Sequence, residues 1–449
     1  MFVKLKQLIP ERHPLRLLYH KIKAVIAAVV YGFPANKMIV IGVTGTNGKT
    51  TTTNLITNIL NKAGHKVGMT STVNFQVGDR RWTNDTKQST ASPFKLQKLL
   101  KQMVEADCKY AVVEVTSHAI TQSRVFGINF DVGIITNVTA DHLEYHGGFD
   151  DYLNAKGKLF EKVSKGKKKF GVEKVLIANA DDEHFKYFDQ FVADRKLTYG
   201  LKSATVYAEK IEKRPEGSSF ILHVPNYSMP VEVGMPGEYN IYNALGAAAV
   251  CMALEVPMEM IRDGLKESSS VAGRFEHVEA GQDYAVIVDY AHTPDALESL
   301  FSLYRRLTSG RLLVVFGATG GGRDKAKRSA MGKAANESAD QIFVTNDDPY
   351  TEDQWEIIDQ VCEGIPRKEG RGLWKIPDRR QAIRLALTMA KAGDTVVVAG
   401  KGAEEIMMID GKKIPWNDKQ VITELLSRKV EVEIGPNEWV ARPNVCMES

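Results

Sequence analysis

Short β-branched, apolar runs that alternate with stretches of helical periodicity constrain the fold of this chain more than any other feature. They occupy residues 38–42, 110–115, 132–138, 175–178, 285–289, 312–316, 341–344 and 395–399. This alternation predicts an α/β fold built on mainly parallel sheets. Several runs end directly in polar or glycine-rich residues. Because ligands bind beyond the carboxyl ends of strands in open α/β sheets, the functional residues are expected in those loops.

The domain organisation follows from length and from one change of pattern. A chain of 449 residues is too long for one ordinary core, which predicts two or more domains. A helical stretch over residues 240–266 gives way to SSSVAGR, and a new series of strands follows. The predicted units are a short N-terminal extension (1–37), a central domain (38–272) and a C-terminal domain (273–449).

Composition excludes several classes of protein. The formal charge of +4 is small, and basic residues are interspersed with acidic ones, so nothing indicates a nucleic-acid partner. The cysteines are far apart and form no CxxC pair, which argues against a disulfide framework or a zinc site and favours a reducing, cytoplasmic setting. They are Cys108, Cys251, Cys362 and Cys446. The sequence does not define an oligomeric state.

The apolar stretch at residues 15–33 has the length of a membrane helix. His20, Lys21 and Lys23 interrupt it, however, and no signal-peptide cleavage pattern follows. The preferred interpretation is a helix docked on the protein, without stable membrane insertion, and contact with a membrane surface is the minority alternative.

Residues 43–50 read VTGTNGKT and lie between a predicted strand and a predicted helix. Such a loop binds phosphate, because its glycines allow backbone N–H groups to face phosphate oxygens at a helix N-terminus. Lys49 would reach the outer phosphates and Thr50 would ligate Mg²⁺. The usual GxxxxGK spacing would place a glycine at Val43, so the motif is a shortened one. The alternative, a glycine-rich turn without a ligand, does not explain the lysine and threonine. The predicted nucleotide contacts in this loop are Gly45, Thr46, Asn47, Gly48, Lys49, Thr50 and Thr51.

The segment TGTNGKTTT at 44–52 resembles the Mur ligases and their relatives, the folylpolyglutamate and cyanophycin synthetases. EVTSH at 114–118 and NVTADHLEYHG at 137–147 extend the resemblance, and the later wording is most similar to the tripeptide-forming Mur ligases. The resemblance implies a P-loop central domain and a Rossmann-like α/β C-terminal domain. It also implies an ATP-dependent, Mg²⁺-requiring ligase that joins an amino acid to a carboxylate through an acyl phosphate.

The resemblance implies catalytic roles for Lys49, Glu114, His142 and Lys156. Glu114 and His142 would bind Mg²⁺ together with Thr50, and Lys156 would be carbamylated. A carbamate converts a cationic side chain into an anionic oxygen ligand, which suits Mg²⁺. The alternatives are a solvated acid at a strand end for Glu114 and a structural histidine for His142.

Further motifs of the family imply nucleotide contacts in both domains. GEYNIYNALGA at 237–247 matches a segment that lies around adenine, although an asparagine at a helix start is usually only a cap. GRFE at 273–276 and DYAHTPDAL at 289–297 match nucleotide-binding segments of the C-terminal domain. The residues concerned are Asn240, Asn243, Arg274, Asp289, Tyr290 and His292.

The remaining motifs imply contacts with the two small-molecule substrates. They place Thr90, Ser92, Ser117, Gln122, Arg124, Arg323, Lys327, Asp347, Asp348, Tyr350, Gly402 and Glu404 in the substrate site. Family members that use meso-diaminopimelate carry arginine at the position of Tyr350, which cannot supply that charge. Glu404 remains available for a distal ammonium, so lysine or another diamine is favoured. A solvated basic loop is the alternative for the cluster at 323–328.

The resemblance covers residues 38–425, and only residues 1–37 precede it. Family members that use a UDP-sugar carry a complete α/β domain there. The acceptor is therefore expected to be either UDP-N-acetylmuramoyl-L-alanyl-D-glutamate held differently, or a non-UDP acceptor such as a lipid-linked, polyglutamate or aspartate-based peptide. A non-catalytic nucleotide-binding subunit is the remaining alternative, and the intact set of motif residues argues against it.

Overall fold

The computed structural model describes residue 10 and residues 12–84, 86, 88–141, 143–169, 171–214, 217–268, 273–321 and 325–433. The helices are α1 (Pro14–Tyr31), α2 (Lys49–Lys62), α3 (Pro93–Glu105), α4 (Ser117–Thr121), α5 (Leu143–His146), α6 (Phe149–Lys165), α7 (Phe185–Asp189), α8 (Glu238–Ala253), α9 (Met258–Glu267), α10 (Pro294–Leu307), α11 (Ala326–Ser338), α12 (Gln354–Cys362), α13 (Arg379–Met389) and α14 (Asp418–Glu433). A 3-10 turn spans Pro34–Lys37.

The strands fall into a large sheet, a medium sheet and a small hairpin. The large sheet contains β1 (Ile39–Thr44), β2 (Val67–Thr70), β3 (Asn74–Val77), β4 (Arg80–Thr83), β5 (Tyr110–Glu114), β6 (Val132–Ile135), β7 (Val175–Asn179), β8 (Arg195–Gly200), β9 (Val206–Arg214), β10 (Gly217–Val224) and β11 (Tyr227–Val233). The medium sheet contains β12 (Glu276–His277), β13 (Ala285–Asp289), β14 (Leu312–Phe316), β15 (Gln341–Val344), β16 (Leu373–Lys375) and β17 (Thr395–Ala399). The hairpin pairs β18 (Ile406–Ile409) with β19 (Lys412–Pro415).

The large sheet has the strand order β11-β10-β9-β8-β7-β6-β1-β5-β2-β3-β4. Strand β1 pairs in parallel with β5 and β6, and β2, β7 and β8 extend the parallel part. Antiparallel strands lie at both edges. The predicted α/β architecture is therefore confirmed. Because β1, β5 and β6 are parallel neighbours, the loops that follow them meet at one edge of the sheet.

Two apolar clusters cover the two faces of the large sheet. Helices α2, α8 and α9 pack on one face, and α3 and α6 pack on the other. This burial explains why the central strands are continuous apolar runs and do not alternate with polar residues. The medium sheet has the order β12-β13-β17-β14-β15-β16 and is also covered on both faces. Its strands β13 to β17 are parallel, as predicted for an α/β C-terminal unit.

Some predicted elements end at different residues in the structure. Strand β6 ends at Ile135, three residues before the predicted end, since the next residues leave the sheet to contact the loop after β1. The predicted helical stretch 240–266 forms two helices, α8 and α9. Between them Glu255 adopts a positive φ of 59° and Pro257 precedes α9, so the chain turns there. The predicted domain boundary at residue 272 lies outside the described residues and stays a prediction.

Helix α1 lies docked on the large domain, as the sequence predicts. Its small residues Ala24, Ala27 and Ala28 are buried, and the helix contacts α3. Among the residues that the structure describes, no helix is long and apolar enough to cross a membrane.

Candidate active site

The loop between β1 and α2 requires glycine at two positions. Gly45 and Gly48 have φ values of 147° and 81°, in the region that side chains disfavour. A Cβ atom at Gly45 would lie 1.8 Å from Thr136 Oγ1, and one at Gly48 would lie 2.2 Å from Asn243 Oδ1. The loop is therefore packed closely at the N-terminal end of α2, and a helix N-terminus is a favourable place for a phosphate group.

Residues that follow β6 hold this loop in shape. Asn47 N donates to Asn137 Oδ1 (2.9 Å), and Thr136 Oγ1 donates to the Asn47 carbonyl (2.6 Å). The Thr46 hydroxyl lies 3.0 Å from the hydroxyl of Tyr152 on α6. The loop is therefore ordered by the protein itself.

Lys49, the first residue of α2, turns its ammonium group back onto the loop. Its Nζ donates to the Thr46 carbonyl at 2.7 Å. Burial lowers the pKa of Lys49, while the charges of Glu114 and Asp141 oppose that shift. A phosphate group would give this buried cation a stronger partner than a carbonyl dipole.

Thr50 and Glu114 meet beside the loop. Thr50 Oγ1 donates to Glu114 Oε2 at 3.0 Å, and Thr72 donates to both carboxylate oxygens through its N–H and its hydroxyl, each at 2.8 Å. Glu114 is 1% exposed. A hydroxyl and a carboxylate are the hard oxygen donors that Mg²⁺ prefers, so this pair fits the metal. His142, the other predicted ligand, lies outside the described residues, within which no cluster of three metal-binding side chains occurs.

Lys156 of α6 is buried directly under the loop. Its Nζ donates to the Gly45 carbonyl at 2.6 Å and lies 4.3 Å from the centre of the Tyr152 ring. Burial lowers the pKa of Lys156 well below its ordinary value, and the nearby Lys49 charge lowers it further. A depressed pKa increases the fraction of neutral amine, which is the form that reacts with carbon dioxide.

The C-terminal domain faces the loop with Arg274, which precedes β12, and with residues at and just after the end of β13. Asp289 is buried and accepts two backbone N–H groups at 2.7 and 2.9 Å, while burial raises its pKa. The Arg274 guanidinium stacks 4.6 Å from the centre of the Tyr290 ring. His292 Nδ1 lies 2.9 Å from the Tyr290 carbonyl, and burial lowers the pKa of His292 to about 3. His292 is therefore neutral at physiological pH.

These two sides enclose a cavity of about 170 Å³. Its walls include residues 46–50 of the loop and Glu114 from the central domain. Arg274, Tyr290 and His292 line it from the C-terminal domain. Asn240 and Asn243 lie behind the loop, bonded to each other at 3.1 Å, and Asn243 also accepts from Thr52 at 3.3 Å. Thr51 is buried in the first turn of α2.

A larger cavity of about 810 Å³ lies next to the first one. Four of its lining residues are predicted substrate contacts, namely Ser117, Gln122, Arg124 and Tyr350. The predicted catalytic residue Lys156 lines it as well. Both cavities share a set of wall residues. These are Lys49, Ser89, Thr116, Asp141 and Tyr350. The phosphate end of the smaller cavity therefore opens onto the larger one.

Arg124 is a further cation that the structure holds in place at the wall of the larger cavity. Its Nη1 donates to the Thr90 carbonyl at 2.8 Å, and its Nε and Nη2 donate to Gln122 Oε1 at 3.0 and 2.7 Å. Gln122 in turn donates to the Tyr145 hydroxyl at 3.2 Å. This chain of bonds fixes the guanidinium, which suits an anionic group on a substrate.

Other predicted substrate residues have different positions. The Thr90 hydroxyl is buried and donates to the Glu114 carbonyl at 2.8 Å, so it orders the strand ends. Ser92 is the residue before α3. Lys327, in α11, lies close enough for its charge to lower the pKa of His292. Arg323 lies outside the described residues.

Residues 347–350 and 400–404 form a buried charge cluster. Lys401 Nζ lies 2.9 Å from Asp348 Oδ1 and 3.7 Å from Asp347 Oδ1, and it also pairs with Glu404. Glu404 therefore already has a cationic partner, which the sequence did not indicate. Burial raises the pKa of Asp347 to about 6, against the opposing effect of Lys401. Asp348 and Tyr350 adopt positive φ values of 49° and 57°, which indicates a strained loop.

Gly402 brings the loop of this cluster into contact with the segments that carry Arg274 and Tyr290. A Cβ atom at Gly402 would lie 2.7 Å from the Gly273 carbonyl and 2.9 Å from Tyr290 Cβ. One at Gly273 would lie 1.9 Å from Ala403 N. The loops that carry Arg274 and Glu404 are thus in backbone contact, which only glycine permits.

The sequence motifs did not single out Thr72. It follows β2, and β2 pairs in parallel with β5, which carries Glu114. A hydroxyl at the carboxyl end of a neighbouring strand was the available signal.

The phosphate-type loop opens onto a second, cationic cavity, and another α/β domain closes over both. This arrangement is that of an enzyme that transfers phosphate from a nucleotide to a second substrate. The family models agree with this class. That of the Mur ligase middle domain matches residues 43–251, and that of the Mur ligase glutamate ligase domain matches residues 273–402. The chain belongs to the Mur ligase family, and its activity is that of an ATP-dependent, amide-forming ligase.

Within this family, the chain is similar to enzymes that form the tripeptide precursor. A UDP-N-acetylmuramyl-tripeptide synthetase of Roseiflexus sp. (strain RS-1) is 40% identical over 406 residues, which cover 88% of this chain and 80% of the relative. A UDP-N-acetylmuramoyl-L-alanyl-D-glutamate--2,6-diaminopimelate ligase of Geobacillus thermodenitrificans (strain NG80-2) is 40% identical over 401 residues, with 89% and 81% covered. A solved structure of such a diaminopimelate ligase is similar with a TM-score of 0.59 and 30% identity, over 88% of this chain and 79% of that one.

Proposed function

We propose that this chain adds one amino acid to a free carboxylate of UDP-N-acetylmuramoyl-L-alanyl-D-glutamate, as a step of peptidoglycan precursor synthesis. The observation that carries the proposal is the common wall of the two cavities, which includes Lys49. A nucleotide in the smaller cavity would direct its γ-phosphate toward an acceptor in the larger one. The acceptor carboxylate would then attack the γ-phosphate directly, with no nucleophile supplied by the protein.

The proposed reaction has two steps. An acceptor carboxylate oxygen attacks the γ-phosphorus, and the bond between that phosphorus and the β-phosphate oxygen breaks. The products of this step are an acyl phosphate and ADP. The amine of the incoming amino acid then attacks the acyl carbon, and inorganic phosphate departs as the amide forms. Lys49 neutralises the charge that develops on the transferring group, and Arg124 orients an anionic part of the acceptor. The closed C-terminal domain excludes water from the acyl phosphate.

The donor set beside the loop supports a requirement for Mg²⁺. Thr50 and Glu114 would hold one ion, and His142 with carbamylated Lys156 would hold another. Bound Mg²⁺ supplies charge neutralisation on the phosphate oxygens. The lowered pKa of Lys156 supports the carbamate, since a neutral amine is needed to form it. The use of ATP supports a cytoplasmic location.

The incoming amino acid is proposed to be a diamine of the lysine type. Asp347, Asp348 and Glu404 surround Lys401. The charge of Arg379 also acts on Asp347, but Arg379 is paired with Asp418, so the cluster keeps an excess of negative charge. Both Asp348 and Glu404 line the smaller cavity. A distal ammonium is attracted there, whereas a distal carboxylate finds Tyr350 in place of a cation.

Mass spectrometry of the products tests the proposal. The enzyme is mixed with Mg²⁺-ATP, UDP-N-acetylmuramoyl-L-alanyl-D-glutamate and either lysine or meso-diaminopimelate. We expect a tripeptide product with lysine in excess. Lys49→Ala should abolish it, whereas Lys62→Ala, at the exposed far end of the same helix, should not.

Two results would overturn parts of this proposal separately. A product with meso-diaminopimelate alone would remove the charge argument for the diamine. ATP turnover that responds to other peptide carboxylates but not to the UDP acceptor would assign the chain to a non-UDP acceptor. Absence of ATP turnover in the isolated wild-type chain would favour a non-catalytic nucleotide-binding subunit.

A further inference from the structure

Helix α1 exposes a continuous apolar stripe. Its members lie three or four residues apart, except for two adjacent valines at its C-terminal end, and each is between 50% and 64% exposed. They are Leu15, Leu18, Ile22, Ile26, Val29 and Val30. At 100° per residue these side chains share an arc of about 120°, which is the width of a helix face that normally packs on something. Single exposed apolar residues need no explanation, but a stripe along a whole helix does.

The opposite face of α1 fixes the direction of this stripe. Ala24, Ala27 and Ala28 are buried against the domain, where α1 contacts α3. A Cβ atom at Gly127 would lie only 2.7 Å from Ala28 Cβ, so the helix approaches the body closely. The helix cannot rotate to bury its stripe without losing this contact. The stripe is therefore held outward by the fold.

The charges of α1 flank the stripe. Lys23 lies along one edge of it, and Lys21 lies along the other, by the same 100° rotation. Residues 12–37 contain no aspartate or glutamate. An apolar arc bordered by cations is the pattern of a helix that lies in the plane of a lipid interface.

We propose that α1 docks this enzyme on an anionic lipid surface, with the stripe among the acyl chains and the flanking cations at the headgroups. Charge complementarity favours lipid over a second copy of the chain. A symmetric pair would bring the same cations face to face without an acidic partner from residues 12–37, whereas anionic headgroups neutralise them. At 1.5 Å per residue the helix is about 27 Å long, so it can lie on a bilayer surface along its whole length.

The residues just before α1 connect the proposed membrane contact to the larger cavity. Pro10 and Arg12, at its N-terminal end, line the larger cavity, and Arg12 pairs with Asp151 at 3.0 Å. A docked α1 holds that end of the cavity near the membrane surface. The inference does not depend on which acceptor or amino acid the enzyme uses.

Vesicle co-sedimentation of the full chain tests the proposal. One set of vesicles contains phosphatidylcholine alone, and the other contains equal parts of phosphatidylcholine and phosphatidylglycerol. We expect strong binding to the second set and weak binding to the first. Ile22→Ser/Ile26→Ser should weaken binding by about tenfold or more, because two buried apolar side chains are lost. Val192→Ser, an exposed valine away from α1 at 76% exposure, should bind as the wild type does.

Charge and folding are tested with further variants. Lys21→Gln/Lys23→Gln should lower binding to the anionic vesicles severalfold and reduce its dependence on salt. All variants should keep the wild-type unfolding temperature and ATP turnover, since the altered side chains are outside the core and the site. If Ile22→Ser/Ile26→Ser unfolds, Leu15→Ser/Leu18→Ser replaces it in the same assay.

The proposal is overturned if the wild type stays in the supernatant with both kinds of vesicle. It is also overturned if sedimentation velocity shows a dimer that the stripe variants dissociate, because a second copy then covers α1. Equal binding by Val192→Ser and the stripe variants would likewise place the lipid contact elsewhere. Each of these results leaves the ligase proposal untouched, since its product assay needs no vesicles.

Discussion

Removal of the buried ammonium group of Lys401 should strongly destabilise the C-terminal domain. In Lys401→Met the side chain keeps a similar volume, but Asp347, Asp348 and Glu404 lose the cation that lies among them. Lys401 is fully buried, so water cannot replace it. Breaking a buried ion pair by removal of one partner costs about 3–5 kcal/mol. We expect a loss of that size in the free energy of unfolding near neutral pH.

The loss should depend on pH with a defined sign. Asp347 already has a pKa of about 6 in the wild type, raised by burial and lowered by Lys401. Without the lysine this pKa rises further, while the unfolded carboxyl keeps a pKa of about 3.9. The folded variant then binds protons that the unfolded chain does not bind. The destabilisation relative to the wild type therefore grows as pH rises from about 6 through the raised pKa of Asp347 in the variant, and it is smaller at about pH 5 than at about pH 8.

Urea unfolding of the C-terminal transition at both pH values measures this effect. Lys419→Met is the matched control, because Lys419 forms an exposed pair with Glu276 and should contribute at most about 1 kcal/mol. The reasoning is refuted if Lys401→Met loses no more than this control at the higher pH. A loss that is larger at the lower pH would refute it equally. Because Asp348 and Glu404 are the proposed partners of the distal ammonium, KM for the amino acid should also change in Lys401→Met.

Three further outcomes are expected. Lys156→Ala should lose ligation and regain part of it with a short-chain carboxylic acid, whereas Lys156→Arg should stay inactive in the same product assay; full activity in either variant would exclude the carbamate. Gly48→Ala should lose ATP binding by calorimetry and about 1–2 kcal/mol of stability, because its φ is positive and Asn243 blocks the Cβ position. The His146 imidazole lies 3.0 Å from the Ser117 hydroxyl, and burial lowers the pKa of His146 to about 4. Since the pKa of histidine in the unfolded chain is near 6.5, the free energy of unfolding of the wild type should decrease as pH is lowered from about 6.5 to about 4. The decrease should be less steep in His146→Gln.

The sequence was sufficient to predict the α/β class and the glycine-containing loop between β1 and α2. Both depend on local patterns: β1 is an unbroken apolar run, and Gly45, Gly48 and Lys49 follow it at fixed spacing. Parallel strands buried on both faces produce such runs wherever they occur. The approach of Glu114 to Thr50 could also be expected, because β5 and β1 are neighbours and their carboxyl ends coincide.

The contacts between distant side chains could not be predicted in the same way. Glu404 was expected to be available to a substrate ammonium, but Lys401, three residues earlier, turns toward it and toward Asp348. A sequence gives the charge of each residue but not the direction of its side chain. The C-terminal end of β6 differs from the predicted one for a related reason, because Thr136 leaves the sheet and donates a hydrogen bond to the loop after β1.

The contact between Gly273 and Gly402 has a consequence for the order in which ligands act on one another. Arg274 follows the first glycine and Glu404 follows the second, so a shift of either loop displaces the other. If a nucleotide draws Arg274 inward, we expect it to alter the affinity for the incoming amine. Thermodynamic reciprocity would then require the amine to alter the nucleotide affinity by the same factor. Two glycines that allow the backbones to touch would thus couple the binding of the two substrates.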